Sequence, residues 1–382
     1  MQPHAKITVA ICAFEAQNTI ERALHSVLTA TDGPILLVDD HSSDATAKKA
    51  KEVAGERLVV VQPSTKLGIG NARQTALENI GTPYALWLDA DDEILPGRPA
   101  RMLQALEADA DLVHDAAELI DGKSGSLIAA LSMPSFLRGP GIWRQFERNW
   151  MPGLCGGFNV NFARKIGYDT SFYNSEDYDF QLRALSAGAR VGLISETGYR
   201  YHHYTDTISR NLRQATSFTG QALAKHDLTS LNRGMEKDGL DKSTQSFLIS
   251  CAKLQSGDAA GAIKAARQAV YGGTEPIQPY GTSAQALCHF ITGSALLKLG
   301  NANEALTQFE ASGLVAAECL NNMGVCHKIM GDKTKASSLF AEALALSPGY
   351  VDAVENLKNC KKPAQRITLL PLRPSAGRSD YG

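Results

Sequence analysis

Two hydrophobic rhythms divide the chain. Up to about residue 95, short apolar runs fit for buried strands alternate with stretches whose apolar residues recur at helical spacing. Ile7-Thr-Val-Ala-Ile-Cys-Ala-Phe14 is rich in β-branched residues and apolar along most of its length, the pattern of a parallel strand covered on both faces. Asn18 or Thr19 can cap a helix in which Ile20, Ala23, Leu24, Val27 and Leu28 share one face. Strands follow at Ile35 to Val38, Leu58 to Val61 and Tyr84 to Leu88, with helices at Ala45 to Val53 and Asn71 to Asn79 between them. Gly68-Ile-Gly70 reads as a plain turn, since it carries neither a GxGxxG nor a Walker pattern. Strands alternating with helices imply a parallel sheet with right-handed crossovers, and ligands then lie at the carboxyl ends of the strands. Asp39, Asp40 and the cluster Asp89, Asp91 and Asp92 all fall at such ends.

Beyond Arg213 the strand-like runs give way to alanine-rich helical pattern. Three segments match one another: Leu254 to Ala262, Leu299 to Ala305 and Met330 to Ala336, each with glycine, then Asp or Asn, then alanine five residues after the glycine. Phe309 and Phe340 follow the second and third glycines by the same interval. This resembles tetratricopeptide repeats, paired helices with a glycine turn and small residues where the helices cross. The spacing is irregular, with Gly272 to Gly281 as an inserted loop. The resulting division is an α/β domain over 1–215, a helical connection over 216–245, repeats over 246–360 and a flexible tail over 361–382.

Composition narrows the setting more than the chemistry. Lys and Arg total 38 against 40 Asp and Glu, so nothing favours nucleic acid or an anionic membrane as partner. The apolar runs are strand-sized, well short of the roughly 20 residues of a spanning helix, and Met1 to Lys6 lack a signal-peptide core. Seven scattered cysteines show neither metal spacing nor a disulfide framework. The reading is a cytoplasmic protein with no transmembrane segment.

The acidic cluster carries the first chemical hint. Three carboxylates in one loop repel one another unless water solvates them or a cation compensates them, and Asp89 and Asp91, two apart, can share one face and one ion. A solvated acidic turn is the alternative. The wider chain favours the ion. Ile7 to Phe14, Val38-Asp-Asp-His-Ser-Ser-Asp44, Leu67-Gly-Ile-Gly-Asn-Ala-Arg73, Leu88-Asp-Ala-Asp-Asp92, Ser175-Glu-Asp-Tyr-Asp-Phe-Gln-Leu-Arg183 and Tyr199-Arg-Tyr-His202 with Ser209 resemble, in order and spacing, the motif series of glycosyltransferase family 2, whose fold is called GT-A. The fold class this implies is α/β, a Rossmann-like, mostly parallel sheet, followed by the all-α repeats. Two departures stand out: Cys12-Ala-Phe-Glu15 where the family often shows Pro-x-Tyr-Asn, and His41 where it has glycine.

The resemblance implies transfer of a sugar from a nucleotide sugar with inversion at the anomeric carbon. It makes Asp91, with Asp89, the DxD ligands of Mn²⁺ or Mg²⁺, and His202 or His203 a nitrogen ligand or phosphate contact; an aromatic packing cluster is the other reading of that histidine pair. It makes Asp177 the general base, with Glu176 and Asp179 raising its pKa; a helix cap is the plainer role. Phe14, Glu15, Asp39, Asp40, Arg73, Asp89 and Ala90 would surround the nucleotide, with a carboxylate on the imide N–H favouring UDP-sugars. Met133 to Phe158, with Trp143, Phe146, Trp150, Met151 and Pro152, would form the acceptor region or pack as core. The appended repeats suggest a peptide or protein acceptor, or else a helical prop or homodimer surface. A glycan, lipid-linked or small-molecule acceptor is the alternative, and a non-catalytic repeat scaffold the rival of a different class.

Overall fold

β1 (Ile7–Ala13), β2 (Ile35–Asp39), β3 (Leu58–Val61) and β4 (Tyr84–Asp89) pair in parallel in the order β3-β2-β1-β4. The computed structural model describes residues 6–151, 156–204, 212–269, 275–363 and 365–372, with the backbone alone at 212–216 and 228–230. Every residue of β2 is buried, and β1 is buried except at Cys12, as continuous apolar runs require. The helices on this half match their apolar spacing. Ile20, Ala23, Leu24 and Val27 of helix Ile20–Ala30 all face the core.

The second half of the sheet departs from a mostly parallel arrangement. β5 (Glu93–Ile94), β6 (Leu112–Asp121), β7 (Leu127–Leu131), β8 (Gly157–Asn159) and β9 (Val191–His203) complete nine strands in the order β3-β2-β1-β4-β8-β6-β9-β5, with β7 on β6. β8 runs antiparallel to both β4 and β6, β7 antiparallel to β6 and β5 antiparallel to β9, while β6 and β9 are parallel. A buried ion pair ties this half together. Arg98 meets Asp115 of β6 bidentately at 2.8 and 3.0 Å, with both residues almost fully enclosed. Gly198 of β9 is required beside it, because a Cβ there would lie 1.9 Å from an Asp115 oxygen.

The chain divides into two units: 1–138 with 149–222, and 139–148 with 223–382. The second is helical. Its pairs Lys242–Gln255 with Ala259–Ala266, Ala284–Lys298 with Ala302–Ser312, and Ala317–Ile329 with Lys333–Leu346 are followed by Val351–Lys358. The glycines of the repeat motif, Gly257, Gly300 and Gly331, take φ of 84 to 94°, a region that favours glycine. Asp258 and Asp332, just after two of them, cap the next helix through their side chains. Ala262, Ala305 and Ala336 are wholly buried at the crossings. Gly293 and Gly324 leave room for the Phe309 and Phe340 rings, which a Cβ would approach to 2.7 and 2.6 Å.

Residues 139–148 belong to this helical unit, which changes the meaning of the aromatic stretch. Trp143 stacks on Phe146 and donates its indole N–H to Asp238 at 2.8 Å, and Phe146 meets His226 edge-on. Trp150 packs against Phe136 in the N-terminal unit. These rings are spent on packing; Pro152 lies outside the described residues. So do Ser209, Gly272, Gly273 and residues 373–382 of the expected tail. Residues 365–372 of that tail are held against the repeat helices by hydrogen bonds, in place of the expected flexibility. Among the described residues no helix is long and apolar enough to cross a membrane, and the described cysteines are free thiols.

Candidate active site

The ladder aligns the acidic strand ends. Ala13 of β1 pairs with Asp39 of β2, and Cys12 of β1 with Asp89 of β4, so both carboxylates emerge on either side of the same strand end. Loops from β1 and β2 interlock there. Glu15 accepts the backbone N–H and the hydroxyl of Ser43 at 2.8 and 2.9 Å, and its own N–H goes to Ser42. Glu15 and His41 both adopt positive φ, 53° and 64°. The backbone at His41 thus keeps the left-handed turn that glycine adopts most readily. Phe14 is exposed at this rim, with the Lys66 ammonium 3.2 Å from its ring centre.

Asp39 and Asp40 divide their work. Asp39 takes the Gln62 amide at 3.0 Å and the Ser42 N–H at 3.3 Å. Asp40 turns away to accept the N–H groups of Leu67 and Gly68 at 2.6 and 2.9 Å. That fixes the loop entering helix Ile69–Asn79, which starts two residues earlier than the sequence pattern suggests because Gly68, at φ 86°, makes the turn itself. Gly70 is inside the helix and admits no side chain, since a Cβ would sit 2.8 Å from the carbonyls of Asp169 and Phe172.

Arg73 projects from this helix into the protein rather than outward. It is 4% exposed, its Nε donates to Glu176 at 2.9 Å, its Nη2 donates to Asp89 at 3.1 Å, and its guanidinium lies 5.0 Å from the Trp87 ring centre. One cation therefore fastens the end of β4 to the start of helix Glu176–Ser186. Asp177, the second residue of that helix, is half-buried. The cap position is Ser175, at φ 61°, so the plain cap role does not fall to Asp177. Burial, then the neighbouring Glu176 carboxylate, push Asp177 well above the usual carboxylate range, against the pull of Arg73. Asp179 is neutralised within the helix by Arg183 at 2.8 Å. Asp177 also lines a small pocket with His114, Phe158, Tyr168 and Gln181, with space of about 20 Å³.

The three carboxylates of the opening cluster have distinct surroundings. Asp92 is 1% exposed and accepts the Tyr199 hydroxyl at 2.6 Å and the His202 N–H at 2.7 Å. Asp91 is raised to about 6 by burial and then by the charge of Asp89, with Arg22 opposing; Arg22 also bonds the Asp91 carbonyl. Asp89 keeps about a third of its side chain exposed. Ala90 between them is buried. Two hard oxygen donors, with Asp91 raised by burial and by the charge of Asp89, are a donor set a divalent cation suits. Among the described residues no three His, Cys, Asp or Glu side chains converge as a ready-made cage, so water and phosphate would have to supply the remaining ligands.

The histidine pair sits next to this cluster, and its rings are differently engaged. His202 is buried; its Nε2 hydrogen-bonds Glu93 at 2.6 Å, and burial lowers its pKa. His203, facing the alternate side of β9, lies near Asp121. Arg22 and Glu93 are participants the sequence reading passed over, and Tyr199, named there only within a motif, acquires a role. Tyr199 is the chief participant, since it supports both Asp92 and, through the Asp89 N–H at 3.3 Å, the start of the acidic turn.

Each part of the chain resembles known proteins. Residues 8–166 match the model of glycosyl transferase family 2, and residues 317–350 match a tetratricopeptide repeat. The succinoglycan biosynthesis protein ExoO of Rhizobium meliloti is 28% identical over 290 residues, 68% of this chain and 80% of that protein. The UDP-Glc:alpha-D-GlcNAc-diphosphoundecaprenol beta-1,3-glucosyltransferase WfgD of Escherichia coli is 31% identical over 88 residues, 22% of this chain and 35% of that one. Among solved structures, S. aureus TarS 1-349 in complex with UDP aligns with a TM-score of 0.49 at 14% identity, covering 91% of this chain and 93% of that one.

Proposed function

We propose that this glycosyltransferase, whose residues 8–166 match the family 2 model, moves a sugar from a UDP-sugar to a growing glycan by one inverting, metal-assisted displacement. The observation that carries the reading is the Arg73 bridge. It joins Glu176 to Asp89, which supports a site in which Asp177, next to Glu176 and raised well above the usual carboxylate range, works with the Asp89 and Asp91 strand end.

In this reading Asp91, with Asp89, holds the divalent cation. A bound Mg²⁺ or Mn²⁺ supplies Lewis-acid stabilisation of the charge that gathers on the departing diphosphate. Asp39 and the Phe14–Glu15 rim hold the nucleotide. Arg73 fixes Asp89 and holds Glu176 still. Asp177 takes the proton of the attacking hydroxyl, a role that its raised basicity suits. With one base and no second nucleophile argued for at the site, a single in-line displacement follows, and this supports inversion.

A glycan acceptor is supported by the relatives' names, a succinoglycan biosynthesis protein and a transferase acting on a diphosphoundecaprenol-linked sugar. The repeat match favours a second reading, a peptide or protein acceptor held by the helical unit. Calorimetry with a panel of UDP-sugars, with and without Mn²⁺, tests the donor half. Wild type should bind one of them only with metal, and Asp91→Ala should lose at least tenfold in affinity. Failure of every UDP-sugar to bind wild type with metal present would refute the proposal. Transfer to lipid-linked oligosaccharides but not to peptides then separates the two acceptors.

A further inference from the structure

Three asparagines are almost wholly buried in the helical unit: Asn321 and Asn322 on helix Ala317–Ile329 and Asn356 on helix Val351–Lys358. A carboxamide taken out of water is costly unless its donors and acceptor are met. Here they are met by the backbone of an extended segment, residues 365–372. Asn356 donates to the Arg366 carbonyl at 2.8 Å and accepts the Arg366 N–H at 2.7 Å. Asn322 donates to the Thr368 carbonyl at 2.8 Å and accepts the Thr368 N–H at 2.9 Å. Asn321 adds a longer bond to the Arg366 carbonyl at 3.3 Å and anchors Asn356 at 2.8 Å. Further along, the Leu372 N–H reaches Glu318 at 3.0 Å, and Arg148 donates to the Pro371 carbonyl.

Clamping both backbone groups of every second residue is what a neighbouring β-strand does, and it reads no side chain. Sequence enters at three places, one of them Leu372, which packs against the Ala317, Ala343 and Ala353 cluster. The Thr368 hydroxyl donates to Asp352 at 2.9 Å and meets the Tyr350 hydroxyl, and the Arg366 guanidinium lies 3.7 Å from the same Asp352. The clamps thus require an extended backbone, and are indifferent to which chain supplies it. The chain's own tail is favoured because residues 361–365 tether it at high effective concentration.

We infer that residues 365–372 are an intramolecular ligand occupying a backbone-reading groove, and that this groove binds, in exchange for the tail, an extended protein segment carrying a basic residue two positions before threonine. The groove is a partner site that the chain itself keeps closed. The inference stands apart from the transferase reading, since its test needs no sugar nucleotide.

The test uses a labelled peptide of residues 363–372 added to the full chain. Thr368→Asp sets a carboxylate against Asp352 and should expel the tail while leaving every groove residue intact; Arg366→Glu with Thr368→Asp adds a second repulsion. Both variants should bind the peptide at least tenfold more tightly than wild type. The same peptide methylated on the Arg366 and Thr368 nitrogens should not bind, because the clamps lose their N–H donors. In wild type the amides of 366 and 368 should exchange with solvent at least tenfold more slowly than in the free peptide. Equal affinity of variants and wild type, undiminished binding of the methylated peptide, or free-peptide exchange in wild type overturns the inference. Unfolding of both variants overturns it too, since a tail that the fold cannot lose is no ligand.

Discussion

Replacing Arg73 with methionine keeps the stem and removes the charge, leaving Glu176 buried, with a side chain 4% exposed, beside Asp177. Breaking a buried ion pair by deleting one partner costs about 3–5 kcal/mol, because the remaining charge is uncompensated. The share owed to Asp89 is smaller, since its side chain is about a third exposed and screened by water. Loss of the cation facing Trp87 adds about 1 kcal/mol or less. Native-state hydrogen exchange in β1 and β4 reads the opening of this sheet apart from the helical unit, and protection there should fall roughly 10²- to 10⁴-fold. Adding Glu176→Gln to Arg73→Met removes the stranded charge and should recover more than half of the loss. A cost under about 1 kcal/mol, or a double variant no better than the single, would refute the view of Arg73 as the fastener of this site.

Asp177→Asn should lower transfer about 10²- to 10⁴-fold while leaving UDP binding by calorimetry intact. As a base Asp177 must be deprotonated, so activity should fall as pH falls through a value above the usual carboxylate range; Glu176→Gln, by removing a like charge and freeing Arg73, should move that acidic limb of the pH–rate profile downward. His114 is pushed to about 4 by burial and Arg98, below the ordinary 6.5, so the unfolded chain binds its proton first. Stability of the N-terminal unit should therefore drop by about 3 kcal/mol as pH falls from 6.5 to 4, and urea titrations of His114→Gln should lack that component. Gly324→Ala should destabilise the helical unit by about 1–3 kcal/mol through contact with the Phe340 ring, read as a lower melting temperature of its helices.

What the sequence made legible was what neighbouring residues decide. β1 and β2 declared themselves as unbroken apolar runs, and the repeat turns by a glycine at positive φ with Asp or Asn next to it. β6 did not, because His114 and Asp115 interrupt its apolar pattern; their burial depends on Arg98 and on the absence of a side chain at Gly198, both remote in sequence. Arg73 belonged to a legible motif, but its partner Glu176 is 103 positions away, so the direction in which it points was not. The tail misled for a related reason. Residues 365–372 carry Ile367, Leu369, Leu370 and Leu372 in a run too short and irregular to declare a helix or strand, and they are held largely through backbone groups that every sequence possesses.

The acidic turn carries this furthest. Asp89, Asp91 and Asp92 are chemically alike, and spacing alone offers two of them to an ion without saying what the third does. β9 makes the distinction. Tyr199 and the His202 N–H occupy both oxygens of Asp92 and enclose it, so it becomes the support of the turn. Arg73 takes one oxygen of Asp89 and aims it, whereas Asp91 is left with repulsion and burial that raise it to about 6. Among the described residues Arg22 opposes that repulsion without cancelling it, so Asp91 would gain from a nearby cation. Tyr199→Phe would remove the hydroxyl that holds Asp92 and Asp89 apart in role, and it should weaken metal-dependent nucleotide binding without touching a proposed ligand.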